Sequence, residues 1–345
     1  MRIAIVSPYA LDIPGGVQQQ VLELAERLRG RGHDAFVVGP GAGGESGAVD
    51  VGGSIGIPAN GAVAPVALSP RVWGRVGRAL SDVDVAHVHE PMMPLVGWAA
   101  MSRSRPLVLT FHADPSRAMR MAYRLLGPLV RRAARRAGAA TVVSPTARSA
   151  VDHLRKDIEE IPNALDVQSY RPDVTRAQRQ VAFLGRPDPR KGLDLLLEAW
   201  PGVHRAVPEA ELVVMGGAPP VDLPAVRFLG RVDEAAKRET LAASGVFCAP
   251  NRGGESFGIT VAEGMAAGCA VVASDLPAFA DVLGGSGVLF PTGDVRRMRT
   301  ALINVLSDTE RIERLGLDAS QRVARFDWDR VVDRYEDLYE RALGA

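Results

Sequence analysis

The sequence predicts an α/β protein of two doubly wound halves, each a parallel sheet with helices on both faces. Three observations predict it. Short apolar runs alternate with longer amphipathic stretches along the whole chain, the pattern of strand–helix–strand units. The alternation restarts near residue 180. The chain has 345 residues, which at ~150 residues per domain suits two domains.

The elements follow in order. Residues 2–6 (RIAIV) read as a buried strand. Residues 17–29 place Val17, Val21, Leu24 and Leu28 on one helix face, and Gly30 and Gly32 end that helix. AFVVGP is the next strand, and 85–88, 107–111 and 139–143 are further strands. Helical stretches lie between them, including the Arg-rich segment 117–136 with Arg117, Arg120, Arg124, Arg131, Arg132, Arg135 and Arg136. In the second half, strands at 180–185, 211–217, 245–250 and 269–274 alternate with helices at 191–206, 233–244 and 256–267. The polar stretch 164–179, with Pro172, reads as the linker. A last helix from Asp327 has an apolar face of Trp328, Val331, Val332, Tyr335, Leu338 and Tyr339.

Composition narrows the function. Hydrophobic residues make up 47% and charged residues 23%, which excludes a disordered or disulfide-built chain. Cys248 and Cys269 lie in apolar runs and read as small core residues of a reducing compartment. No apolar run reaches the ~20 residues of a membrane span. Asp12 interrupts the N-terminus too early for a secretory leader, so the expected location is cytoplasmic. A net charge of +1 demands no nucleic acid, and the basic residues lack the aromatic interleaving that binds single strands. The charge is uneven, however. Residues 1–160 hold 19 Lys+Arg against 14 Asp+Glu, and the remainder holds 22 against 26. A basic N-terminal half suits an anionic ligand or surface.

Three stretches could carry chemistry. PGGVQQQ (14–20) puts two glycines between a first strand and its helix, where free amides and the helix dipole favour an anion. It matches neither a dinucleotide fingerprint nor a P-loop. FLGRPDPRKG (183–192) brings Arg186 and Lys191 to a strand's carboxyl end, two cations suited to a diphosphate. GGESFGITVAEGMAAG (253–268) puts Ser256 and Phe257 in a helix's first turn. Glu255 and Glu263, eight apart, then stand at the mouth and along the body of that helix. Carboxylates there can accept sugar or ribose hydroxyls. A solvated helix face fits poorly, because Ile259, Val261, Met265 and Ala266 look buried.

Together with VRFLGRVDEAAK (226–237), IPNALD (161–166) and the FDW-led terminal helix, these motifs resemble retaining glycosyltransferases of family four, with the GT-B fold. PYALDIPGGVQ, HVHEP, TFHA and GGESFGI are similar to the actinobacterial phosphatidylinositol mannosyltransferases. The resemblance implies two Rossmann-like domains with a cleft between them, and a C-terminal helix crossing back. Residues 1–165 with 327–345 would form the acceptor domain, and 171–326 the nucleotide-sugar domain. Mannose would pass from GDP-mannose to phosphatidylinositol at the inner face of the plasma membrane, with no further cofactor and no metal. By resemblance, Gly16 lies near the donor diphosphate, and Arg186 and Lys191 bind it. Glu255 meets sugar hydroxyls, the amides of Phe257, Gly258 and Ile259 lie by the phosphates, and Glu263 holds the ribose. Val232, Glu234 and Lys237 meet the base, and His112 faces the transferred sugar. Tyr9, Gln18 and Asn60 fall to the acceptor. The developing charge on the leaving diphosphate would be met by Arg186, Lys191 and helix amides, with Glu255 orienting the sugar along a front-face route.

Segment 59–68 departs from the inositol-lipid pattern. Asn60 is kept, but Ala59, Ala62 and the Arg-free stretch 65–68 are other residue types. Glu234 stands where a shorter Asp is usual, and Arg186 and Lys191 are one residue closer than in near relatives. The alternatives are a GDP- or UDP-sugar enzyme with a soluble acceptor, or a GT-B-like sugar-nucleotide epimerase. Separately, Arg71, Arg75 and Arg78 recur on one face of a helix, as in helices that lie on anionic lipid. Gly74 and Gly77 weaken that helix by ~1 kcal/mol each, so it is expected to order on binding. His87, His89 and Glu90 could suggest a metal, but no further ligand lies nearby in sequence.

Overall fold

The structure is a computed structural model that describes residues 1–43, 47–59, 62–67, 69–103, 106–112, 131–216 and 221–344. Its contacts divide the chain into two units: Met1–Ala164 with Trp328–Ala345, and Leu165–Asp327.

In the first unit, β1 (Arg2–Val6) leads through α1 (Gly16–Gly30) to β2 (Asp34–Gly39) and the short β3 (Ala48–Asp50). An antiparallel hairpin follows, β4 (Ile55–Ala59) with β5 (Ala62–Val66). Then come α2 (Arg71–Ala79), β6 (Val85–His89), α3 (Val96–Arg103) and β7 (Leu107–Phe111). A helix α4, described over residues 131–136, leads to β8 (Ala139–Val142), α5 (Pro145–Val151) and β9 (Glu159–Glu160). The sheet is parallel, in the order β3-β2-β1-β6-β7-β8-β9. The chain winds one way from β1 and the other way from β6. The carboxyl ends of β1 and β6 therefore flank the switch point where open α/β sheets hold ligands.

The second unit repeats this plan. β10 (Ala177–Leu184) is followed by α6 (Leu193–Ala206), β11 (Glu211–Met215), β12 (Val226–Gly230) and α7 (Glu234–Ala243). Next are β13 (Ser244–Ala249), α8 (Ile259–Ala266), β14 (Ala270–Ser274), α9 (Pro277–Leu283) and β15 (Val288–Phe290). Two surface helices, α10 (Val295–Leu306) and α11 (Thr309–Val323), complete it. The order β12-β11-β10-β13-β14-β15 places the switch point between β10 and β13. Phe183, Trp200, Leu212, Val246, Val272 and Leu302 are among its buried core.

The last helix, α12 (Trp328–Leu343), returns to the first unit. Trp328, Val331, Val332, Tyr335, Leu338 and Tyr339 are all buried with Ile3, Ile5, Leu24 and Leu28. This is the apolar face read from the sequence. Trp328 also donates its indole N–H to Glu23 of α1 at 2.5 Å.

Three expectations need correction. The stretch 164–179 is not a free linker. Leu165 and Asp327 pair with each other inside the second unit, Val167–Tyr170 form a 3-10 turn capped by Asp166, and β10 already begins at Ala177. Buried Val167 and Tyr170 anchor that turn. Second, α8 starts at Ile259 rather than 256. Gly258 at φ +98° stops helix propagation and serves as its N-cap, leaving Ser256 and Phe257 in the preceding loop. Third, α2 is helical here without a bound surface, because Val72, Val76 and Leu80 are buried beneath it. Tertiary packing outweighs the two glycines.

Candidate active site

In the second unit two loops leave the carboxyl ends of the adjacent strands β10 and β13. The first carries Arg186 to Gly192 and the second Pro250 to Gly258. Asp188 caps the 3-10 turn Pro189–Lys191, and Gly192 at φ +69° ends the turn and opens α6. A Cβ at Gly192 would lie 2.0 Å from the Pro250 carbonyl oxygen, so only glycine lets the loops meet. The Arg252 amide donates to the Arg190 carbonyl at 2.7 Å, and the Arg252 guanidinium pairs with Asp194 at 2.5 Å. Arg190 grips Asp188, whose carboxyl it holds below the usual range.

This stitching brings Lys191 and Glu255 together, 64 positions apart in sequence. Lys191 Nζ lies 2.6 Å from Glu255 Oε1, and Asn251 Nδ2 donates to the same oxygen at 2.7 Å. Arg186 is exposed, at the carboxyl end of β10. No side chain caps the α8 N-terminus, so its first-turn amides point outward from the same loop. The site thus offers two cations, a fixed carboxylate and a helix N-terminus, a combination suited to a phosphate beside hydroxyl groups.

A second cluster lies along α7 and α8. Glu263 is buried and accepts from Tyr170 Oη and Lys237 Nζ, each at 2.7 Å. Glu234 takes a second bond from Lys237 at 2.9 Å. Burial pulls the Lys237 ammonium down, but Glu263 and Glu234 outweigh it and hold it above its ordinary value. Burial and the charge of Glu263 raise the Tyr170 phenol, which stays a neutral donor. Val232 is half-buried just before α7. The structure therefore brings Glu263, Lys237 and Glu234, all named from the family resemblance, into contact with one another. Sequence reasoning missed Tyr170 and Asn251. A lone tyrosine inside a polar, Pro-flanked stretch was the available sign for Tyr170.

The other candidates lie in the first unit. Gly16 opens α1, and a Cβ added there would meet no described atom within 4 Å beyond its chain neighbours and its own helix backbone. Tyr9 is half-buried and bridges to Val66 of β5. Gln18 is buried, with its amide folded over Gly15 and donating to the Ala10 carbonyl at 3.4 Å. Asn60, Arg117, Arg120 and Arg124 lie outside the described residues. Arg71, Arg75 and Arg78 are exposed on one side of α2, opposite buried Val72 and Val76.

His112 follows β7 and is buried at 6% exposure. It joins a histidine row on neighbouring strands. His89 Nδ1 lies 2.7 Å from His112 Nε2. Both nitrogens of His87 are used, one on Tyr339 Oη at 2.8 Å and one on Thr110 Oγ1 at 2.7 Å. Burial lowers all three rings, His87 to about 3 and His112 to about 4, so they are neutral at pH 7. Among the described residues no group of three His, Cys, Asp or Glu side chains is placed to hold a metal. Cys248 and Cys269 are buried and free, and no described helix is long and apolar enough to cross a membrane.

Comparisons with known proteins follow the same division. Residues 14–169 match the model described as Glycosyltransferase Family 4, and residues 178–308 the one described as Glycosyl transferases group 1. The phosphatidyl-myo-inositol mannosyltransferase of Mycobacterium leprae is 39% identical over 99% of this chain and 96% of its own length. That of Propionibacterium freudenreichii is 34% identical over 98% and 94%. The chain belongs to the phosphatidyl-myo-inositol mannosyltransferase family of glycosyltransferases. Among solved structures, Anabaena HepE in complex with UDP superposes with a TM-score of 0.77 at 19% identity, over 98% of this chain and 99% of that one. Sucrose-phosphate synthase from Thermosynechococcus elongatus gives 0.73 at 19% identity, over 99% of each chain. These likenesses establish the shared GT-B fold, two Rossmann-like domains, for this mannosyltransferase relative.

Proposed function

We propose that the protein transfers mannose from GDP-mannose to phosphatidylinositol, with retention at the anomeric carbon. The observation that carries the reading is the Lys191–Glu255–Asn251 cluster at the β10/β13 switch point, beside the α8 N-terminus. Its chemistry fits a sugar diphosphate. Arg186 and Lys191 supply positive charge where the leaving diphosphate gains negative charge, and such fixed charge needs no reorganisation during reaction. Glu255, held through Oε1 by Lys191 and Asn251, orients the sugar by accepting from its hydroxyls. Glu263, held by Tyr170 and Lys237, is the acceptor for ribose hydroxyls, with Val232, Glu234 and Lys237 toward the base. In the first unit, Gly16 serves the diphosphate, His112 the transferred sugar, and Tyr9, Gln18 and Asn60 the acceptor.

The lipid acceptor is supported by full-length relatives that carry that name. The exposed row Arg71, Arg75 and Arg78 supports peripheral contact with an anionic membrane at its cytoplasmic side. A soluble acceptor is the second reading, favoured by the residue types of segment 59–68. Nucleotide release from GDP-mannose, with and without phosphatidylinositol and against a UDP-sugar control, decides between them. Release that requires the lipid is the expected result. Release from GDP-mannose that ignores the lipid and responds to free inositol or a sugar phosphate would favour the second reading.

A further inference from the structure

The HVHEP segment does more than end a strand. His89 closes β6 and Glu90 follows it, and both reach His112, the residue that follows β7. Glu90, buried at 2% exposure, accepts the His112 backbone N–H with its carboxylate. It does so from φ +46°, an uncommon conformation for a residue with a side chain, kept where surrounding structure insists on it. Its own amide is fixed on the Thr110 carbonyl at 2.8 Å. His89 meets the other end of His112, ring to ring, with Nδ1 on Nε2 at 2.7 Å and planes 26° apart. Consecutive residues therefore hold the backbone and the ring of His112.

The direction of the ring–ring bond follows from satisfaction of buried groups. Both rings are neutral, so one carries its proton into the bond and the other accepts. His89 Nε2 is buried with no partner among the described residues. A proton there would be an orphaned buried donor, whereas the His112 ring has the Asn163 side chain beside it, which favours a proton on that ring. The His89 proton therefore sits on Nδ1 and is donated to His112 Nε2. His112 then keeps its own proton on Nδ1, a buried nitrogen, with the Asn163 side chain beside the ring.

We propose that His89 is a positioning residue that fixes His112 in its Nδ1–H form, presenting a single N–H donor to an oxygen of the bound sugar or its phosphate. This rests on the reading of His112 as the residue that meets the transferred sugar. Free imidazole side chains favour the other tautomer, so the wrong proton position would point a lone pair at the ligand oxygen. Loss of a group that holds a catalytic histidine in one tautomer lowers turnover while leaving the scaffold intact.

The test is a long-range proton–nitrogen spectrum of the full chain, which has only six histidines, together with kinetics of two variants. The wild-type spectrum is expected to show His112 protonated on Nδ1. His89→Leu removes the donor, and its spectrum should show the Nε2–H form, with kcat falling ~10–100-fold, as for other outer partners of site residues, and KM for GDP-mannose nearly unchanged. His89→Asn places an N–H where Nδ1 was and should restore kcat to within about threefold. A wild-type His112 protonated on Nε2 overturns the proposal whatever the activities are, and whether or not the variants fold. Equal losses in both variants also overturn it, and leave His89 a core residue. His112→Ala separates the two readings. If that variant turns over at the wild-type rate, the sugar-facing role of His112 fails and takes the catalytic part of the proposal with it, while the spectrum still decides the tautomer.

Discussion

Lys191 and Glu255 show why the site matters at the residue scale. Each side chain is largely shielded, and their ion pair spans two loops rather than one helix. Sequence spacing could name both residues but not their contact, because 64 positions separate them. The same limit hid Tyr170, 93 positions from Glu263, whereas Asn251 is four positions from Glu255 in an irregular loop, where no period says which side chains meet. Glu263, Lys237 and Glu234 were named through family resemblance, and their mutual contacts come from the packing of α7 on α8. Lys191→Ala should reduce turnover by orders of magnitude, since one charge on a leaving group is worth ~3 kcal/mol or more of barrier. The fold should survive, because Asn251 still holds Glu255 and the Arg252–Arg190 backbone bond remains. Steady-state rates beside a melting curve check both halves. A near-native rate would remove Lys191 from the diphosphate site.

At the scale of elements, long amphipathic helices and five-residue buried strands were readable because each offers several periods of a pattern. The two-residue β9 and three-residue β3 and β15 offer none, and the β4–β5 hairpin lies in a Gly/Ala/Pro-rich stretch without alternation. The start of α8 was misread because composition cannot reveal that Gly258 is left-handed. A Cβ there would also press on Phe279 at 2.8 Å. α2 was read correctly as a helix but not as a preformed one, since the sequence does not say what covers Val72 and Val76. Its three arginines therefore act on a fixed frame. Replacing Arg71, Arg75 and Arg78 with Ser should leave the melting temperature within a few degrees, as all three are exposed. Binding to vesicles containing anionic lipid should weaken by ~1 kcal/mol per residue removed, and the loss should shrink at high salt. Unchanged vesicle binding in a sedimentation assay would return this face to ordinary solvated surface.

Over the whole molecule, the two-domain plan was legible from the restart of the strand–helix pattern, and the return of α12 to the first unit from family likeness. What stayed hidden is the polar row inside the first unit's core, where His87, His89 and His112 lie with Thr110, Thr141, Tyr335 and Tyr339. Alternating histidines on a strand look like ligands until α12 supplies Tyr339 as a partner. Their burial has a consequence for stability. Each ring titrates well below its unfolded value of about 6.5, His87 at about 3 and His112 at about 4. The two facing tyrosines are raised by burial and stay neutral, so they do not titrate in acid. Below pH 6.5 the unfolded chain therefore binds protons that the folded chain refuses. Stability is full above that pH and declines as pH falls toward 4, by as much as ~1.4 kcal/mol per pH unit for each histidine. Depressed carboxylates such as Asp188 act in the same direction only at lower pH. Thermal melts between pH 7.5 and 5.0 should show a steady fall in Tm, starting near pH 6.5 rather than near 4. His87→Phe should flatten the slope by about one proton, whatever it does to Tm at pH 7.5. A Tm that stays constant down to pH 5.0 would mean that these rings take up protons in the folded state, and that the buried row opens to water.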